Sequence, residues 1–354
     1  MIKDKKKLTQ AAATTAGLIA LPFLAMAVMG NEYGVMIICI MLVYILAVSG
    51  LDILFGYSGQ ISLGHAAFFV IGAYTTGLLN MYFKTPLYIT IPLAAVFSTA
   101  IGGLLAYPAS KLKFHFLSLA TIAFGELVFN FLYVSPRGFT RDYLGINVIG
   151  ISFLTDYTVW YFFLLFWVAL ALLAKHFLVN SRTGRAFTAI RENTHAADGM
   201  GINVRWHKIL AFMVSAFYTG LAGALFVHLI KYISPETSQQ RQSVLFLTML
   251  LFGGTASMLG PIIGVVIVMI LMEIIRPFQE YQMLLFGVLL LIVIIALPGG
   301  VYGGINDAIL SYKRMKMAKN FSASAPGKGS VAQDSAAQDS AAEGGGGDDD
   351  AGNE

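Results

Sequence analysis

Apolar runs long enough to cross a bilayer recur along nearly the whole chain, separated by short polar loops, and this alternation leaves few folds open. A spanning helix needs roughly 20 predominantly apolar residues. Runs of this kind lie near 16–30, 33–50, 61–82, 86–107, 114–134, 157–179, 209–230, 244–259, 261–275 and 281–298. Only 12% of residues are charged, against 57% hydrophobic, which is about half the charged fraction of an ordinary soluble domain. The sequence therefore predicts an all-α polytopic membrane protein of about ten transmembrane helices. A soluble enzyme built on one buried core is excluded.

Charge placement tests the spans independently. Seven acidic residues and one lysine between Asn320 and Glu354 put that stretch at −6, so the rest of the chain is +10 against +4 overall. With the N-terminus inside, loops 108–113 and 180–208 and the flank after residue 310 share one side. They carry Lys111 and Lys113, then Arg182, Arg185, Arg191, Arg205 and Lys208, then Lys313, Arg314, Lys316 and Lys319. That is the positive-inside pattern, and it explains a pI near 9.0 by anionic lipid rather than nucleic acid. Both termini are expected in the cytoplasm. Loop 135–156 falls outside, with Tyr157, Trp160 and Tyr161 as an aromatic anchor at the outer end of the next helix.

The expected organisation is a cytoplasmic segment 1–15, a transmembrane domain 16–310 that includes the loop 180–208, and a cytoplasmic acidic tail 311–354. The first run resembles a signal peptide, with Ala25-Met26-Ala27 as a cleavage triplet. A retained helix is the preferred reading, because a second apolar run follows within a few residues. The Ser/Ala/Gly/Asp-rich tail lacks the apolar residues to bury a core and is expected to be disordered.

Four polar features interrupt the apolar background. The first is Gly56-Tyr57-Ser58-Gly59-Gln60-Ile61-Ser62-Leu63-Gly64-His65. Its glycines break a helix at membrane depth, where irregular backbone persists only if buried in protein or lining a cavity. It either lines the translocation pathway or packs helices closely, and His65 is either a proton carrier or a hydrogen-bonded packing residue. The second is Asn180 to Lys208, read as one amphipathic helix with Thr183 as N-cap and Gly199 and Gly201 as stop signals. Ala186, Ile190, Asn193 and Ala197 make a small-residue stripe, with Phe187 beside them. That stripe suits docking into a protein groove better than anchoring on lipid.

The third feature runs from Gly253-Gly254 to Gly264, a second glycine-interrupted stretch. Its two short spans, parted by Gly260-Pro261, are expected to be broken or re-entrant, a pattern typical of transporter sites. The fourth is the set of acidic residues Asp52, Glu126 and Glu273. Glu126 lies in mid-span, where an ionisable group is either functional or a buried structural carboxyl. Phosphate loops, zinc-protease helices, nucleophile elbows and voltage-sensor arginine ladders are all missing from the sequence. Cys39 alone forms no internal disulfide. Neither catalysis nor a metal or other cofactor is indicated.

The stretch Leu54-Phe55-Gly56-Tyr57-Ser58-Gly59-Gln60-Ile61-Ser62-Leu63-Gly64-His65-Ala66-Ala67-Phe68 resembles the signature of LivM-type permeases, membrane subunits of bacterial branched-chain amino-acid ABC importers. The likeness continues in Gly72-Ala73-Tyr74-Thr75, Ser181-Arg182-Thr183-Gly184-Arg185-Ala186, Ile190-Arg191-Glu192-Asn193, Gly220-Leu221-Ala222-Gly223-Ala224 and Leu297-Pro298-Gly299-Gly300. It covers roughly residues 15–310. It departs at Asn193-Thr194-His195 and at Asp198-Gly199.

The resemblance implies a permease for Leu, Ile and Val, with importers of urea or short amides as the nearest rival. It implies a LivH-like second permease, two cytoplasmic ABC ATPase subunits and an extracytoplasmic binding protein, and it places this chain in the bacterial inner membrane. The helix after residue 180 becomes the ATPase-coupling segment, with Arg191, Glu192, Ala196, Ala197 and Gly201 at the matching positions. The pathway candidates are Gly56, Ser58, Gly59, Gln60, Ser62, Gly64, His65, Glu126, Gly253 and Gly254. A gradient-driven secondary transporter using Glu126 or His65 is the rival from a different class.

Overall fold

A computed structural model describes residues 32–112, 114–135, 138–148 and 156–277, with isolated positions between 284 and 303. The expected spans 16–30 and 281–298, the segment 1–15 and the tail 311–354 lie outside these residues or largely so.

Ten α-helices follow one another in the described residues: α1 Glu32–Leu51, α2 His65–Phe83, α3 Leu87–Ala109, α4 Phe114–Tyr133, α5 Tyr157–Asn180, α6 Arg182–Glu192, α7 Thr194–Gly199, α8 Val204–Ile230, α9 Gln240–Gly253 and α10 Gly260–Ile275. Six of them (α1 to α5 and α8) are long and apolar enough to cross a membrane. The two final helices have 14 and 16 residues and form a shorter hairpin. The chain is thus an all-α polytopic membrane protein, and the two short runs are the broken elements the sequence predicts.

Helix ends move where local chemistry dictates. The third run begins as helix only at His65, because Ser58 to Gly64 is non-helical. The eighth helix starts earlier than its apolar run, at Val204, because the Asn203 side chain accepts the Trp206 N–H at 3.0 Å and caps it. The ninth stops at Gly253, since Gly254 has φ +106°, a conformation open to glycine.

Helix α8 is the centre of the bundle, with α1, α2 and α3 packed on it. Small residues set these crossings, as is usual where lipid removes the hydrophobic drive between helices. A Cβ at Gly72 of α2 would lie 2.6 Å from the Gly220 Cα of α8, and one at Gly223 would lie 2.8 Å from the Phe69 carbonyl carbon. At the same crossing, Ser98 of α3 donates to the Ala216 carbonyl at 3.0 Å. The run Gly220-Leu221-Ala222-Gly223-Ala224 is a packing face.

Helix α5 buries one narrow stripe: Trp160, Tyr161, Leu164, Val168, Ala171 and Lys175. Trp160 and Tyr161 are therefore core residues rather than the interfacial anchor expected of them, because they share the i, i+4 face that meets α1. Loops 108–113 and 180–208 lie at one end of the bundle. Ser110 and Lys111 share a cleft of about 610 Å³ with His195, Asp198 and Lys208. At the far end of the bundle, Ile146–Asn147 pairs antiparallel with Tyr232–Ile233.

Candidate functional site: two helix breaks and the helix pair beneath them

The first break starts as a π-helical turn, Asp52–Tyr57, that extends α1. Beyond it the chain turns at Gly59, φ +69°, and climbs without helix to His65. Groups along the climb bond to three helices, α8, α4 and α9, while Gln60 Oε1 and Ser62 Oγ have no hydrogen-bond partner. Gln60 Nε2 donates to Ser58 Oγ at 2.6 Å and to the Lys208 carbonyl at 3.3 Å. The Leu63 N–H donates to Thr121 Oγ1 of α4 at 3.1 Å, and the Ala66 N–H to Ser243 Oγ of α9 at 2.9 Å. Gly64 rests on the backbone of α4: a Cβ there would lie 2.7 Å from the Thr121 carbonyl carbon.

Ser58, Gln60, Ser62 and His65 are all exposed by 3% or less, enclosed by the chain's own helices. His65 Nε2 lies 2.6 Å from Thr219 Oγ1 and 3.2 Å from Ser215 Oγ. Both hydroxyl protons are already given away, Thr219 to the Ser215 carbonyl and Ser215 to the Gly50 carbonyl. Each hydroxyl has one proton to donate, so the imidazole supplies the shared N–H from Nε2. Nδ1 is buried with no hydrogen-bond partner to take a second N–H, so this is the geometry of a neutral packing histidine.

The second break is Gly254 to Ser257, entered from Gly253 at the end of α9. A Cβ at Gly253 would lie 2.6 Å from the Gly260 carbonyl carbon, and one at Gly264 would lie 2.9 Å from the Met249 carbonyl carbon, so α9 and α10 meet backbone to backbone. Ala256 is held left-handed, φ +56°. Ser257 Oγ accepts the Gly260 N–H at 2.8 Å and caps the start of α10.

A buried ion pair joins the two breaks. Lys175 Nζ of α5 lies 2.7 Å from Asp52 Oδ2, and both side chains have 0% exposure. Lys175 also donates to the Ser257 carbonyl at 3.2 Å, and Asp52 Oδ1 accepts the Ala256 N–H at 2.7 Å. Gly56 is wedged alongside: a Cβ on it would collide with Asp52 Oδ1 and lie 2.5 Å from the Ala256 nitrogen. The sequence marks Asp52 but not its partner. Lys175 was nevertheless legible as the one charge continuing the buried α5 stripe.

The loop after α5 holds two helices, not the single one expected. Its first N-cap is Ser181, which accepts the Gly184 N–H at 3.3 Å, rather than Thr183. Asn193 ends α6 and caps α7, accepting from the His195 and Ala196 N–H groups at 3.0 Å each. Ala186, Phe187, Ile190 and Ala197 are buried against the chain's own bundle, so the stripe faces inward except at Asn193, which is exposed. The outward face carries Glu192, His195, Ala196 and Met200, the last 83% exposed. Nothing lies within 4 Å of a Cβ built on Gly199 or Gly201. Arg191 turns back toward the first break: its Nη1 donates to the Gly56 carbonyl, and its Cγ would be 3.1 Å from a Cβ on Gly59. Of the predicted residues, then, Gly56, Gly59 and Arg191 come together, with Gly56 also meeting Ala256 of the second break, while His65 sits apart against α8.

Glu126 is exposed on α4, as are Leu127 and Asn130, so it is not a buried structural carboxyl. Gly125 beside it lies against Gly64.

The family model described as the branched-chain amino acid transport system / permease component matches residues 33–294. The chain belongs to that family. Among relatives of this permease is the Escherichia coli K12 protein LivM, a high-affinity branched-chain amino acid transport system permease protein. It is 30% identical over 313 residues, covering 80% of this chain and 74% of LivM. The Salmonella typhimurium LivM is 31% identical over 287 residues, covering 73% and 68%. LivH of E. coli, of the same transport system by its name, is 26% identical over 283 residues, covering 73% and 91%. No solved structure matches the permease significantly.

Proposed function

We propose that this permease forms half of the pathway of an ATP-driven importer for Leu, Ile and Val in a bacterial inner membrane. Its partners are a LivH-like permease, two ATPase subunits and an extracytoplasmic binding protein. The helix pair α6–α7 faces the cytoplasm and couples to an ATPase. The observation that carries this reading is Arg191 on the Gly56 carbonyl, since it attaches a cytoplasmic helix pair directly to the first membrane break. The docking face is the outward one: Glu192, Ala196, Gly199, Met200 and Gly201. Ala197 supports it from inside, and Arg191, itself exposed, ties it to the Gly56 carbonyl.

Glu126 and Asn130 lie on an open face of α4 that adjoins the first break. An ionised carboxylate on hydrocarbon is costly, so this face belongs on water or on the second permease, where a pathway would run. ATP-driven movement of α6–α7 alternates access to that pathway, and selectivity rests with the binding protein.

The test is a gentle-detergent pull-down of the tagged chain, with Gly199→Arg as the variant. The added side chain enters open space and disturbs no internal contact. An ATPase and a second permease are expected with the wild type, and the ATPase is expected to be lost from the variant. A wild-type chain that purifies alone, under conditions preserving known importers, overturns the reading. Uptake of leucine, isoleucine and valine against urea in the reconstituted complex then tests the cargo.

A further inference from the structure

Asp52 and Lys175 have no role in the pathway or docking surfaces just described, yet they are the one fully buried ion pair among the described residues. Such a pair is weak evidence for stability, since apolar residues of similar volume often serve as well. What distinguishes this pair is what else its atoms hold. Asp52 takes Lys175 on one carboxylate oxygen and the Ala256 N–H on the other, while Lys175 reaches the Ser257 carbonyl. A left-handed alanine persists only where its surroundings over-determine it, and here the determinant is Asp52. Four residues after Asp52, the Gly56 carbonyl receives Arg191 from α6. Gly56 has no free space on the side of Asp52 and Ala256. A push on its carbonyl therefore cannot be absorbed locally.

We propose that Asp52 and Lys175 are a positioning pair for transport, passing a displacement of α6, delivered by Arg191 to Gly56, to the Gly254–Ser257 break. The two breaks, the lower end of α5 and α6 then move as one body. This rests on the docking role of α6–α7 given above, and it adds residues that touch neither cargo nor ATPase.

The test uses the reconstituted complex of both permeases, ATPase and binding protein. Asp52→Leu/Lys175→Met removes both charges without leaving either one unpaired. The complex is expected to assemble and keep its basal ATPase rate, while stimulation by loaded binding protein, and uptake with it, falls by about 5- to 150-fold, the usual range of coupling between sites. Asp52→Asn/Lys175→Met keeps an acceptor for the Ala256 N–H and should retain more of the stimulation. A pair that merely fills the core predicts the opposite: unchanged coupling in any variant that assembles. Full stimulation in an assembled Leu/Met complex overturns the proposal.

A second measurement needs no change at the pair. Spin labels at Arg182→Cys and Leu259→Cys, both exposed positions, should keep a constant separation when ATP binds, while each shifts against a label at Leu127→Cys. A nucleotide-dependent change between the first two labels overturns the proposal even if the Leu/Met variant fails to fold. If no complex forms with the wild-type chain, it is the docking reading that has failed.

Discussion

Replacing His65 separates a packing histidine from a proton carrier. The imidazole gives its Nε2–H to Thr219 at 2.6 Å and Ser215 at 3.2 Å, and it is completely buried. In His65→Ala these two hydrogen bonds, worth about 1 kcal/mol each, are lost. The ring also leaves a cavity, and emptying a buried side chain to alanine adds about 2 kcal/mol or more. A total near 3–5 kcal/mol is enough to unfold a protein of marginal stability. In His65→Gln the side-chain amide nitrogen reaches much as Nε2 does, so one donor survives and the cost falls to about 1 kcal/mol.

The assays are thermal unfolding in detergent and leucine uptake in vesicles over roughly pH 5 to 8, the range in which an ordinary histidine changes charge. His65→Gln is expected to stay folded, to transport at near the wild-type rate and to leave the pH profile unaltered. His65→Ala is expected to lose thermal stability and uptake together. A folded His65→Gln with no uptake, or with a displaced pH profile, would refute the assignment of a neutral donor and restore the proton-carrier reading.

Lys175→Met alone leaves Asp52 charged and unpaired in the core and should cost about 3–5 kcal/mol, seen as poor recovery of folded protein, while Asp52→Leu/Lys175→Met recovers most of it. Gly56→Ala drives a methyl into Asp52 and Ala256; a loss of about 1–3 kcal/mol is expected, typical of overpacking, and a thermal midpoint equal to wild type would contradict the wedge. Gly220→Val forces a branched side chain onto Ser98 and should destabilise by a similar amount, about 1–3 kcal/mol, read by the same unfolding assay. Glu126→Gln sits on an exposed face and should change stability by no more than about 0.5 kcal/mol, yet lower uptake. If it instead abolishes the pH dependence of uptake, a gradient-driven carrier is favoured.

Period and charge were enough for the architecture because a bilayer demands continuous apolar helices and sorts basic loops to one side. The runs 33–50 and 157–179 became α1 and α5 with ends moved by no more than a residue. Helix breaks were legible as glycine clusters for the same reason. What could not be read was direction. The Ala186–Ile190–Ala197 stripe has the right spacing for a docking face, but spacing does not say whether the groove it fills is a partner's or the chain's own. Trp160 and Tyr161 failed likewise, since an aromatic belt and an aromatic core look alike at a helix end. The link between Asp52 and Lys175 spans 123 positions and emerges only once α1 and α5 lie side by side. Asn193, expected as one position of the small-residue stripe, is instead the cap that divides one expected helix into two.

The shortness of the hairpin bears on how the chain is made. Helix α9, at 14 residues, is about 21 Å long and α10 about 24 Å, both short of the roughly 30 Å hydrocarbon layer. Neither is long enough to leave the insertion machinery as an independent membrane span. Their glycine-to-glycine seam suggests that the ribosome must release both before either can settle, with α9 waiting at the surface until Gly260 to Gly264 emerge. A chain truncated and released at residue 258 should therefore stay anchored by its six long helices yet leave α9 open to protease. Extending it past residue 275 should make both helices resistant in a single step.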